Sequence, residues 1–134
     1  MDEIGHAGRC LCGAVRYRAA GAPIGTNICH CTQCQRQTGA PFAAFASFPA
    51  DRIVLLAGQP AAYRATPGVI REFCPACGST LFWRRDGDGK IDVCLGTLDD
   101  PASIPPPEIQ LWAAHRLPWL PPLPGTVKPP AAEG

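Results

Sequence analysis

Eight cysteines in 134 residues, at positions 10, 12, 29, 31, 34, 74, 77 and 94, constrain this fold more than any other feature of the chain. They form Cys10-x-Cys12, then Cys29-His30-Cys31-Thr32-Gln33-Cys34, then Cys74-x-x-Cys77, with Cys94 alone. An even count would suit four disulfides, but in a reducing compartment clustered cysteines in a small domain are read as metal ligands. The segment Met1 to Gly8 has no basic start followed by an apolar run, and no stretch approaches the ~18 apolar residues of a membrane span. The expectation is therefore a soluble, cytoplasmic, metal-binding domain.

Tetrahedral zinc takes four protein ligands in a structural site and three in a catalytic one, where a position stays open. Cys74-Pro75-Ala76-Cys77-Gly78 has the spacing of a zinc knuckle, with Gly78 allowing the tight turn behind the sulfurs. Spacing alone leaves its partners open between Cys10 with Cys12 and two cysteines of the 29–34 segment. On an ideal strand Cys10 and Cys12 would lie roughly 6.6–6.8 Å apart, too far for one ion unless the strand curls, which Gly13 permits. If the knuckle joins Cys10 and Cys12, then Cys29, Cys31 and Cys34 remain as a three-thiolate set with room for a substrate. A second structural zinc completed by His30, His115 or Cys94, and a redox couple at Cys31-x-x-Cys34, stay open as alternatives. His30 would point away from its flanking cysteines in an extended segment, which suits a supporting or packing role. Cys94, in the apolar stretch "KIDVCLG", reads as a small core residue.

Around the cysteines, short runs of Val, Ile, Tyr, Phe and Trp alternate with turn signals, predicting a mostly β, single antiparallel-sheet domain. The first strand is expected over residues 9–18, because Val15 and Tyr17 share one face and Arg16 and Arg18 the other. Further strands are expected over 25–29, 42–48, 53–57, 61–65, 69–73, 79–84 and 91–95, with a last apolar segment at 109–112. One short helix is expected over Thr32 to Thr38, with Thr32 as N-cap and Gly39 as its stop. The domain is placed at residues 5–120, and the proline-rich segment 121–134 is expected to be a mobile tail. A formal net charge of +1 supplies no field to draw in nucleic acid or an anionic membrane.

Taken together, Gly8-x-Cys10-x-Cys12-Gly13-Ala14-Val15-x-Tyr17, Cys29-His30-Cys31-x-x-Cys34 with Gly39-Ala40, Phe73-Cys74-x-x-Cys77-Gly78-Ser79, Gly96-Thr97-Leu98-Asp99 and Gln110-Leu111-Trp112 with Arg116-x-Pro118-Trp119 resemble the glutathione-dependent formaldehyde-activating (GFA) / centromere protein V family. The resemblance runs from about Gly8 to Trp119. It implies an Mss4-like (β-tent) fold, a structural zinc on Cys10, Cys12, Cys74 and Cys77, and a second, catalytic zinc on Cys29, Cys31 and Cys34. It also implies condensation of formaldehyde with glutathione, a carbon-sulfur lyase reaction in reverse. Gln110 departs from the pattern, standing where the family often has His.

Three thiolates and one Zn²⁺ leave a net charge of −1, a poor Lewis acid for activating water but a suitable seat for a substrate thiolate adding to a small aldehyde. Glutathione carries two carboxylates, so cations near the zinc are expected: Arg36 first, then Arg16 and Arg71. Gln33, Gln37 and Thr38 flank the same loop and are further candidates to orient the ligand. The alternative is a zinc-stabilised binding module without catalysis, in which Trp112, Trp119 and the tail form a partner surface. Nothing in the sequence fixes the oligomeric state.

Overall fold

The computed structural model describes residues 5–127. Ten strands run in chain order: β1 (Gly5–Arg9), β2 (Arg16–Ala20), β3 (Gly25–Cys29), β4 (Ala43–Pro49), β5 (Ile53–Ala57), β6 (Ala61–Thr66), β7 (Val69–Phe73), β8 (Thr80–Arg85), β9 (Lys90–Cys94) and β10 (Ile109–Leu111). The one α-helix among the described residues, α1 (Thr32–Thr38), lies between β3 and β4. The strands form a small sheet, β1-β2-β5, and a seven-stranded sheet, β10-β3-β4-β9-β8-β7-β6. The mostly β architecture is as expected.

The expected first strand divides in two. Residues 10–15 form a turn in which Cys10 N–H bonds Val15 O at 3.1 Å and Gly13 N–H bonds Cys10 O at 3.1 Å. Gly13 takes φ +82°, which residues with a Cβ rarely adopt, so the curl that two cysteines on one ion would require is built here. The second departure is at β10, which pairs with β3 in parallel while the other paired strands are antiparallel. Helix α1 has the expected span and its Gly39 stop, at φ +68° with its N–H on Gln35 O at 2.8 Å. Its N-cap is Cys31 rather than Thr32, since the Cys31 sulfur accepts Cys34 N–H at 3.2 Å. Of the 121–134 segment, residues 121–127 are described; Val127 pairs with β10, its N–H on Glu108 O and its O accepting Gln110 N–H, each at 3.0 Å. Residues 128–134 lie outside the described ones.

Strand β4 sits inside the large sheet and is apolar on both faces, the pattern of a strand covered on both sides. Ala46 and Phe48 join Val93, Phe82 and Leu81 against Tyr17 and Ala19 of the small sheet and Val15 of the turn before β2. Phe48, Leu81 and Val93 are fully buried, each contributing about 1.5–3 kcal/mol by transfer from water. Tyr17 packs edge-on to Phe82 at 5.0 Å, and its hydroxyl bonds Thr97 Oγ1 at 2.7 Å. On the opposite face, Ala43 and Phe45 pack with Cys29 and Cys34, with Trp83, Cys94 and Leu111 around them. The two cysteine groups therefore belong to different cores.

Candidate metal centres

The turn after β1 and the turn after β7 bring Cys10, Cys12, Cys74 and Cys77 together, with all four sulfurs within 4.8 Å of one another. Tetrahedral zinc with Zn–S of about 2.3 Å places its sulfurs about 3.8 Å apart. Cys10 and Cys12 are separated by 3.7 Å, and Cys12 and Cys74 by 3.9 Å. All eight cysteines are free, and these separations are far beyond the roughly 2.05 Å of a disulfide. Backbone N–H groups already point at the sulfurs: Val15 at Cys10 (3.3 Å), Ala14 at Cys12 (3.5 Å), and Ala76 and Cys77 at Cys74 (both 3.4 Å). Such donors favour the charged form of a thiol. The Ser79 hydroxyl, 3.1 Å from Cys77, leads the contacts that hold that thiol down to about 5. Despite the Ala14 N–H, Cys12, sharing with its sulfur neighbours, is instead raised to about 11, so these four residues fit zinc by spacing and by donor type.

The second group is built by the β3–α1 junction. Cys29 ends β3, Cys31 caps α1 and Cys34 lies in the first helical turn, and their three sulfurs also fall within 4.8 Å of one another. Hydrogen bonds from Cys29 and Cys34 hold the Cys31 thiol far below the ordinary range, with the Arg71 charge adding to the effect. The same sharing pushes Cys29 up. For Cys34 the bond with Cys29 pulls down, but Cys31 and burial outweigh it and the thiol ends raised. A divalent cation would ionise all three thiols, and the donor set fits zinc with three protein ligands.

None of the residues suggested as a fourth ligand joins this group. His30 is fully buried and turned away, its Nε2 3.2 Å from Gln110 Oε1 and its ring packed 5.6 Å from Phe42. Gln110 in turn donates from Nε2 to Thr126 Oγ1 at 2.7 Å, so the residue that departs from the family pattern locks the tail segment to His30. His115 is exposed beside Trp112. Cys94 lines the same apolar cluster without joining the sulfur triangle, and burial pushes its thiol up to about 12.

The candidate ligand-binding residues separate. Arg36 is exposed and lines an open hollow of about 430 Å³ with Gln35, Gly39, Ala40, Pro41 and Leu117, away from the three sulfurs. The Thr38 hydroxyl is occupied by the backbone, donating to Cys34 O at 2.7 Å and accepting Ala40 N–H at 3.1 Å. Gln33 bridges to Thr66 Oγ1 at 3.0 Å. Arg16 donates to Gly13 O on the structural-site turn. The cation at the trio is Arg71, buried at 5% exposure, with both terminal nitrogens 3.7 Å from Cys34 Sγ. Beside it along the sheet run Trp83, Asp92 and Ser47, paired in register, with Ser47 Oγ donating to Asp92 Oδ1 at 2.5 Å. The charged residues within "VIREF" and "KIDVC" were the available signal for this row, because a charge in an apolar strand needs a local partner.

The chain matches the family model described as "Glutathione-dependent formaldehyde-activating enzyme" over residues 5–115. A crystal structure of a Rhodobacter sphaeroides protein shares the fold, with a TM-score of 0.57 at 22% identity, covering 75% of this chain and 91% of that one. No curated protein matches the chain.

Proposed function

Because the chain belongs to the glutathione-dependent formaldehyde-activating enzyme family, we propose that Cys29, Cys31 and Cys34 form a catalytic zinc site for adding a thiol such as glutathione to a small aldehyde such as formaldehyde. The observation carrying this reading is a three-sulfur group in the same chain as a complete four-sulfur group. Zinc held by the trio would favour an incoming thiol in its thiolate form. The substrate sulfur gives its electron pair to the carbonyl carbon, forming the C–S bond, and the C=O π pair moves onto oxygen. That oxygen takes up the proton the thiol released, so thiol and aldehyde become an S-hydroxymethyl adduct without redox change. The reverse cleavage is a carbon-sulfur lyase reaction.

The chain's own residues would shape this step in distinct ways. Phe45, Ala43 and Trp83 wall the trio with apolar surface and limit water there. Thr38, at the other end of the helix, donates to the Cys34 carbonyl, while Gln33 and Arg71 flank the cysteine itself. Arg36 would meet a substrate carboxylate from the hollow beside the helix. The test is exchange NMR of glutathione and formaldehyde with and without protein. Catalysed exchange above the spontaneous rate is expected, lost in Cys31→Ala, with KM for glutathione raised in Arg36→Ala at unchanged zinc content. Exchange at the spontaneous rate with a zinc-loaded trio would refute the assignment.

A further inference from the structure

We propose that Arg71 is the counter-charge of the three-cysteine site and selects an anionic thiolate as the occupant of its open position. This inference rests on the reading of the trio as a metal site given above. Arginine is almost never this buried without a paired anion, and Arg71 is 5% exposed. Among the described residues no carboxylate forms an ion pair with it; the ion pairs are Arg64 with Asp86 and Arg84 with Glu72. Its polar partners are neutral, Gln37 Oε1 at 3.0 Å and Gln33 Oε1 at 3.5 Å, and they solvate the guanidinium without cancelling its charge. The remaining partner is sulfur, with both terminal nitrogens forked over Cys34 Sγ at 3.7 Å. Meanwhile its Nε–H is buried with no hydrogen-bond partner among the described residues. The side chain is thus held where it meets the thiolates rather than where its own donors would all be satisfied.

The charge balance then sets what the open position accepts. Three thiolates and a divalent zinc leave −1, which Arg71 brings to zero. A thiolate entering the fourth position raises the local charge to −1 with Arg71 present and to −2 without it, in a buried setting where each charge counts heavily. A neutral ligand such as imidazole changes the charge in neither case. Arg71 is therefore a positioning and charge-selecting residue, acting through Cys34 and the site's field.

The test uses the full-length protein loaded with Co²⁺ at both sites, titrated with 2-mercaptoethanol and, separately, with imidazole. Binding is read from visible ligand-field and sulfur-to-cobalt charge-transfer bands. The four-cysteine site serves as internal reference for folding. Arg71→Gln is expected to weaken 2-mercaptoethanol binding by about tenfold or more while leaving imidazole binding within about twofold, and Arg71→Lys to recover most of the loss. Equal thiol affinity in wild type and Arg71→Gln would overturn the proposal, as would parallel weakening of both probes. Loss of the second cobalt from Gln and Lys variants alike would overturn it too, by assigning the side chain a purely structural role. A wild-type protein that binds only one cobalt would instead overturn the catalytic-zinc reading on which this inference stands.

Discussion

Replacing Cys74 by alanine should cost this domain its fold, because the residue has three roles at once. Cys74 is fully buried, its sulfur accepts the Ala76 and Cys77 N–H groups at 3.4 Å each, and it lies 3.9 Å from the Cys12 sulfur. Removing the acceptor leaves two donors without their partner; an unsatisfied donor costs about 1–3 kcal/mol when buried, and exposure of Ala76 keeps the pair near the lower end. Losing the metal costs more. Structural zinc contributes about 10–16 kcal/mol of folding free energy in small domains, against a total stability of about 5–15 kcal/mol for a typical domain. A three-sulfur remnant would forfeit enough of that contribution to exhaust the margin. The assay is urea unfolding followed by circular dichroism, with zinc measured on the same samples. Cys94→Ala, which removes a sulfur outside both groups, is the control. Cys74→Ala is expected to be unfolded or strongly destabilised and depleted of zinc, while the control keeps its metal and unfolds near the wild-type midpoint. A Cys74→Ala protein with wild-type midpoint and zinc content would refute a structural role for the four-sulfur group.

Two smaller perturbations test other parts of the fold. Tyr17→Phe removes the hydroxyl that bonds Thr97 but leaves Thr97 donating to Cys94 O at 2.7 Å, so denaturant melts should show a loss of about 0.5–1.5 kcal/mol without change in zinc. Burial pushes the Asp92 carboxyl above its ordinary value, despite the downward pull of Ser47 and Lys90. A carboxyl raised in the folded state stabilises below its unfolded value, near 3.9, and loses that contribution as pH rises through the folded value. Asp92→Asn should therefore be more stable than wild type at pH 7, with the advantage shrinking toward pH 4; an advantage that grows on acidification would show that the carboxylate is stabilised by its surroundings.

The strands from β3 to β9 could be read within about a residue because each carries β-branched or aromatic residues and most lie between turn signals. The first hairpin could not. Leu11, Val15 and Tyr17 keep one parity across the turn and so conceal it, while β1, "GHAGR", has almost no strand-forming residues. What makes it a strand is pairing with β2, where a Cβ at Gly8 would collide with the Tyr17 ring. The parallel orientation of β10 is likewise invisible in three residues. At the site, the spacings left the partners of the Cys74/Cys77 knuckle open and the resemblance chose them, while the arginine nearest the trio in sequence, Arg36, is not the one beside it in space. Two residues beyond Cys34 on a helix is about 200° around its axis, so Arg36 faces away from the sulfurs. Arg71 reaches Cys34 from a strand 37 residues later, through sheet register no local pattern reveals.

The most direct test of a two-centre protein is the zinc content of freshly purified protein, prepared in reductant without chelator, with Cys34→Ala measured alongside wild type. Two equivalents in wild type falling to about one in the variant, with circular dichroism unchanged, is the result predicted by a structural four-cysteine site and a separate three-cysteine site. One equivalent in both proteins would contradict it, leaving Cys29, Cys31 and Cys34 without a metal of their own.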